Sequence, residues 1–149
     1  MDNNTTANNA TFESIINDAL LLNNTMISVK SDGAVAEVKL EKGLPFRIRE
    51  QWATLGDENG SWHLHINIEE TKKAKFITET MANGRNSYSI RFFNSKDVLV
   101  LRINFMKMYN KNNELLKENL SRFEELFTKY GRKDILYLKN LKGTIDSAI

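Results

Sequence analysis

The stretch from Ser61 to Ile68, SWHLHINI, holds both histidines of the chain. Residues two apart on a strand share a face, with side chains roughly 7 Å apart, so His63 and His65 could act on one ligand. Two imidazoles in this arrangement fit a solvated strand face, a metal site or an axial ligand to haem iron. Zinc takes three or four protein ligands. With no cysteine in the chain, carboxylates would have to complete such a site, and Asp57, Glu58 and Glu69 are near only in sequence. Haem asks for one or two axial side chains from the protein.

Tyr88 lies in NSYSIRFF, where alternation puts Tyr88, Ile90 and Phe92 on one face and Ser87, Ser89, Arg91 and Phe93 on the other. A tyrosine on an apolar face fits a core residue whose hydroxyl finds a partner, and a phenolate can also ligate haem iron. Arg47 and Arg49 share a strand face, while Arg85, Arg91 and Arg102 fall in later strands. Guanidinium groups pair bidentately with carboxylates, haem propionates among them, but solvated arginines give the same pattern. No glycine-rich phosphate loop, G-x-S-x-G elbow or H-E-x-x-H helix is present.

The elements that must position these residues belong to one domain, because 149 residues suffice for a single core without staples. A hydrophobic share of 41% is too high for a disordered chain. Twenty-one basic against 19 acidic residues leave a net charge of +2, which gives no general attraction to nucleic acid or anionic membranes. No segment approaches the roughly 18 apolar residues of a membrane span, and the start MDNNTTANNAT has neither a basic region nor an apolar run. The expectation is a cytoplasmic protein without membrane insertion.

Residues 1–10 read as a flexible polar tail, 11–142 as the domain and 143–149 as a second tail. Phe12, Ile15, Ile16, Ala19 and Leu20 recur at helical spacing behind Thr11, a capping residue. A strand-rich middle follows. Ser31-Asp32-Gly33 marks a hairpin, and PFRIREQW alternates Phe46, Ile48 and Trp52 against Arg47, Arg49 and Gln51. Trp62, Leu64, Ile66 and Ile68 oppose His63, His65 and Asn67. AKFITETM, NSYSIRFF and the strand after Asn94–Asp97 complete the pattern. A final helix carries Leu116, Leu120, Phe123, Phe127 and Tyr130 on one stripe, with Asn113 as cap and Gly131 past its end, and GRKDILYLKN adds a last turn. The class is α+β, a large antiparallel sheet meander flanked by N-terminal and C-terminal helices.

GRNSYSIRFFN, with GAVAEVK upstream and LSRFEELFTKY downstream, resembles the HutX/ChuX type of intracellular haem-utilisation proteins, related in fold to HemS-like haem proteins. The likeness runs from about Ile27 to Tyr130. It implies a homodimer, haem held in a cleft against the sheet, and a cytoplasmic role in receiving, buffering and passing on haem, with a haem importer or a haem-degrading enzyme as partner. Haem degradation by the chain itself is the enzymatic alternative; a non-haem ligand-binding or dimerising module of the same fold is another. Between the two serines of the Ser-x-Ser step the family pattern carries a histidine, where this chain has Tyr88. LPFRIREQWATLGDENGSW also departs from the family's corresponding stretch. WHLHIN is similar to the group's histidine-bearing strand, which makes His65 or His63 the axial candidate, with Asn67 orienting the ring of His65. Tyr88 would be a second iron ligand, and Arg47, Arg49 and Arg91 would steady the propionates.

Overall fold

The structure is a computed structural model that describes residues 10–141. Residues 1–9 of the tail expected at 1–10, and all of the tail expected at 143–149, lie outside the described residues. Ala10, assigned to the first tail, is buried, and its carbonyl accepts a hydrogen bond from the Lys139 amide at 3.0 Å.

Helix α1 (Phe12–Leu20) starts where Thr11 caps it. The Thr11 hydroxyl accepts from the Ser14 amide at 2.9 Å, and Ser14 Oγ accepts from the Thr11 amide at 3.1 Å. Its apolar positions are all buried, as the periodicity predicts. Strands β1 (Thr25–Lys30) and β2 (Val35–Leu40) form the expected hairpin, closed by the Ser31 amide on the Ala34 carbonyl at 2.9 Å.

The strands then divide between two sheets. β3 (Phe46–Arg49), β4 (Trp52–Gly56) and β5 (His63–Asn67) make a small antiparallel sheet in that order. β6 (Lys73–Thr80), β7 (Asn86–Phe93) and β8 (Leu99–Phe105) are a meander that joins β1 and β2 in a six-stranded sheet of order β2-β1-β8-β7-β6-β9. The antiparallel sheet expected from sequence is therefore present, with β3–β5 split off beside it. The split follows the 3-10 turn Ile68–Glu70, which redirects the chain between β5 and β6. Its cap is Asn67, whose side chain accepts from the Glu69 amide at 3.0 Å.

Three local readings change. PFRIREQW is two strands, because Glu50 takes a left-handed φ of 52° and the chain reverses at Glu50-Gln51. Arg49 consequently pairs with Trp52, which puts Trp52 on the outer face with the arginines rather than inward with Phe46 and Ile48. The last helix, α2 (Lys117–Lys129), begins after Leu116. Asn113 is in a turn at φ 68°, where the Asn110 side chain accepts from the Asn112 and Glu114 amides at 2.8 and 2.9 Å. This local bonding competes with a helical start. The segment after Gly131 forms β9 (Leu136–Tyr137), paired with β6, instead of a helical turn.

Both helices cover the inner face of the large sheet. Phe76, Ile90, Ile103, Ile27 and Val38 line up across five strands by their pairing register. Phe123 of α2 stacks edge-on against Phe76, Tyr88 and Phe105, with centroids 5.6, 5.3 and 5.2 Å away. Phe12 of α1 meets Phe92 of the large sheet at 5.0 Å and Phe46 of the small sheet at 6.4 Å, so α1 couples the two sheets.

Asn140 ties the end of the chain to this junction. Its Oδ1 accepts from the Phe12 amide at 2.7 Å, and its Nδ2 donates to the Ile68 and Thr71 carbonyls at 2.9 and 2.7 Å. Asn140→Ala strands these partly buried groups and is expected to cost about 1–3 kcal/mol in urea denaturation. An unchanged midpoint would show that water replaces the amide at no cost.

The helices are tied by the Tyr130 hydroxyl, which donates to Asp18 at 2.6 Å. Burial, reinforced by the Asp18 carboxylate, pushes the Tyr130 phenol up beyond its ordinary range. A raised phenol pKa favours the folded state fully below the unfolded value of about 10, and this contribution fades as pH rises above it. Stability should therefore fall above pH 10 in the parent, and the fall should be shallower in Tyr130→Phe. Identical alkaline profiles for the two would remove Tyr130 as the cause.

Candidate functional site

Register on the small sheet decides which side chains meet. Arg47 pairs with Thr54 and Thr54 with His65; Arg49 pairs with Trp52 and Trp52 with Asn67; Gly56 pairs with His63. Directly opposed residues share a face, so Arg47, Arg49, Trp52, Thr54, His63 and His65 all project from one side. The other side carries Phe46, Ile48, Ala53, Leu55, Leu64 and Ile66, which are buried or packed against the core.

His65 is exposed, yet its ring is held: Nδ1 lies 2.9 Å from Thr54 Oγ1. This leaves Nε2 available as a ligand atom. A ring that binds through Nε2 as neutral imidazole carries its proton on Nδ1, which then donates to Thr54, the outer contact that fixes the tautomer of a ligating histidine. Thr54 takes the orienting role expected of Asn67, whose side chain is committed to the 3-10 turn. His63 is exposed too, with its ring 4.9 Å from that of His65. Gly56 permits the close approach of the chain at Trp62 and the His63 backbone to β4. Its φ is +93°, and a Cβ there would stand 2.8 Å from the Trp62 carbonyl oxygen and 3.1 Å from His63 Cα.

A shallow cleft of ≈ 360 Å³ lies on this face, lined by Arg47, Arg49, Trp52, Thr54, Glu58 and His65 among others. Its size is at the lower end of the roughly 300–1,000 Å³ typical of small-molecule sites. Trp52 is 45% exposed and offers a flat apolar surface beside the imidazole. Arg47 is ion-paired with Glu58, whereas Arg49 has no ion-pair partner among the described residues.

Two of the residues singled out from sequence sit elsewhere. Tyr88 is only 7% exposed, with its ring against Phe123. It is among the residues that line a larger cleft of ≈ 540 Å³ beside the large sheet, which Lys30, Arg85, Arg102 and Lys107 also line; Arg102 pairs with Arg91 and so lies on the sheet face opposite Tyr88. Arg91 donates to Glu79 at 2.9 Å and to Ser89 Oγ at 3.1 Å and lines neither cleft. The structure thus joins His63, His65, Arg47 and Arg49 and separates Tyr88 and Arg91 from them. The larger cleft holds no imidazole; the smaller one does and is the better candidate for coordination chemistry. Trp52 and Thr54 were not anticipated from sequence. The reversal at Glu50-Gln51 that turns the Trp52 side chain outward has no glycine, proline, asparagine or aspartate to signal it.

Fold and site define a two-sheet α+β protein with an imidazole and guanidinium face on its smaller sheet. The chain belongs to the HutX/ChuX-type family, and a family model matches residues 13–131. Among solved structures it is similar to ChuX, at 21% identity and a TM-score of 0.67 over 82% of this chain and 73% of that one. A second structure, described as the haem-binding protein ChuX, matches at 20% identity and a TM-score of 0.63, covering 78% and 70%. A protein from Erwinia carotovora matches at 21% identity and a TM-score of 0.65, covering 80% and 71%. No curated protein sequence gives a significant match. Among the described residues, no helix is long and apolar enough to cross a membrane.

Proposed function

We propose that this chain binds haem on the outer face of the small sheet, with His65 Nε2 as the iron ligand. The observation that carries the reading is the Thr54–His65 contact, because it presents an oriented imidazole in a cleft that also holds two guanidinium groups. The likeness to a structure described as a haem-binding protein supports it. Haem supplies the iron and an extended apolar plane; the chain supplies an axial nitrogen, the Trp52 surface, and Arg47 and Arg49 as propionate partners. His63 is the alternative axial residue. Because the cleft is shallow, the porphyrin would keep one face open in a single copy.

The role in keeping with the family is a cytoplasmic carrier that receives, buffers and transfers haem as a homodimer, with an importer or a haem-degrading enzyme on either side of it. Titration of hemin into the purified chain, followed by absorbance, tests the reading. A saturable Soret shift at one hemin per chain is expected, and a titration matching free hemin would end it. Loss of the Soret band with iron release on adding reductant and oxygen, unaffected by catalase, would mark a haem-degrading enzyme instead of a carrier.

One observation favours a second site. The larger cleft, lined by four cationic side chains with the largely buried Tyr88 at its border, is a second place where haem propionates could be held. A spectrum altered by Tyr88→Phe, and not by His65→Ala, would move the haem there.

A further inference from the structure

The end of the small sheet gathers a second kind of ligand set. Glu58, His63 and His65 are all exposed, and one ligand atom from each lies within 4.8 Å of the other two. They reach this point by separate means. His63 and His65 project from one face of β5, while Glu58 sits in the loop that joins β4 to β5. That loop folds back because the Gly60 amide donates to the Asp57 carbonyl and the Asn59 amide to Asp57 Oδ1, both at 2.9 Å. The Glu58 carboxylate is ion-paired with the Arg47 guanidinium.

We infer that Glu58, His63 and His65 form a binding site for a borderline divalent cation of the zinc class, separate in chemistry from haem ligation. Two imidazoles and a carboxylate suit Zn2+, Cu2+ or Ni2+, whereas Ca2+ and Mg2+ take oxygen ligands. Bond lengths of about 2.0–2.2 Å place neighbouring ligand atoms in a tetrahedral site roughly 3.4 Å apart. Atoms within 4.8 Å therefore need to close by at most about 1.4 Å, a movement that exposed side chains and a loop carboxylate make by changing rotamer. Three protein ligands leave the fourth position to water or to an outside ligand, the pattern of open zinc sites. Thr54 orients His65 for this cation through the same Nδ1 contact.

The two uses of His65 exclude one another, but the cation site does not depend on haem. Arg47 separates them by sign. In haem binding it is a propionate partner. Next to a cation it is a like charge that also occupies Glu58, so its removal should strengthen metal binding.

Isothermal titration of Zn2+ into the untagged, haem-free chain tests the inference, with Co2+ absorption as a second reading of the ligand set. One saturable site per chain is expected. Glu58→Gln, His63→Ala and His65→Ala should each weaken it by at least about tenfold and lower the Co2+ bands, with unchanged circular dichroism. Arg47→Met should tighten Zn2+ binding severalfold, a gain that misfolding would not produce. The absence of a saturable site in the parent, or an affinity unaffected by Glu58→Gln, would overturn the assignment. Neither result bears on hemin binding, which is read separately by its Soret band.

Discussion

His65→Ala should weaken hemin binding by at least about 10–100-fold, since even changes in the groups behind a ligating histidine bring losses of that size. The parent spectrum should be lost with it. The side chain is exposed and contributes little to packing, so its removal should leave the melting temperature close to that of the parent. His63→Ala tests the choice between the two rings. Because His63 has no counterpart of the Thr54 contact among the hydrogen bonds of the described residues, its loss should alter the environment of the haem without abolishing ligation. The reverse ranking of the two variants would assign the iron to His63. Tyr88→Phe should leave the spectrum as it is, because the phenol lies against Phe123 on the other sheet.

Phe12→Ala should carry the largest cost in stability. The side chain is fully buried and stands between Phe92 of the large sheet and Phe46 of the small one. Truncating a buried phenylalanine costs about 3–5 kcal/mol through lost burial and the cavity left behind, against a total of roughly 5–15 kcal/mol for a protein domain. Phe46 is on the strand that carries Arg47, so loosening this contact should also weaken hemin binding in the fraction that still folds. Urea denaturation measures the first effect and titration below the transition the second. A loss under about 1 kcal/mol would mean that α1 closes over the gap and that the sheets are held together by other contacts.

Much of the fold is legible in residue order. The apolar period of Phe12 to Leu20, the Ser31-Asp32-Gly33 reversal and the Asn94–Asp97 turn each act through a local preference, and each stands where sequence predicts. Failures occur where a local signal is ambiguous or a distant partner decides. Glu50 adopts a left-handed turn without a glycine to announce it, which hid the end of β3 and turned Trp52 to the wrong face. Leu136 and Tyr137 form a strand because β6 offers an unpaired edge, a fact about tertiary structure.

The site was partly legible for the same reason. That His63 and His65 share a face, and that Arg47 and Arg49 share one, follows from the period of a strand. That all four share the same face depends on the registers of Arg47 with Thr54 and of Thr54 with His65, which no single strand encodes. Glu58 is close to the histidines in sequence, but only the folded loop brings its carboxylate to them. The placement of Tyr88 on the core side agrees with alternation along β7; its distance from the imidazoles follows from the division into two sheets.

The most direct measurement is a hemin titration of the parent and His65→Ala side by side, repeated for the variant with free imidazole in solution. If His65 ligates the iron, the parent gives a saturable Soret shift at one hemin per chain, the variant loses it, and imidazole restores the parent spectrum by filling the space left by the ring. Equal titration curves for the two proteins, with no response to imidazole, would contradict His65 ligation and with it the assignment of the small-sheet face as the haem site.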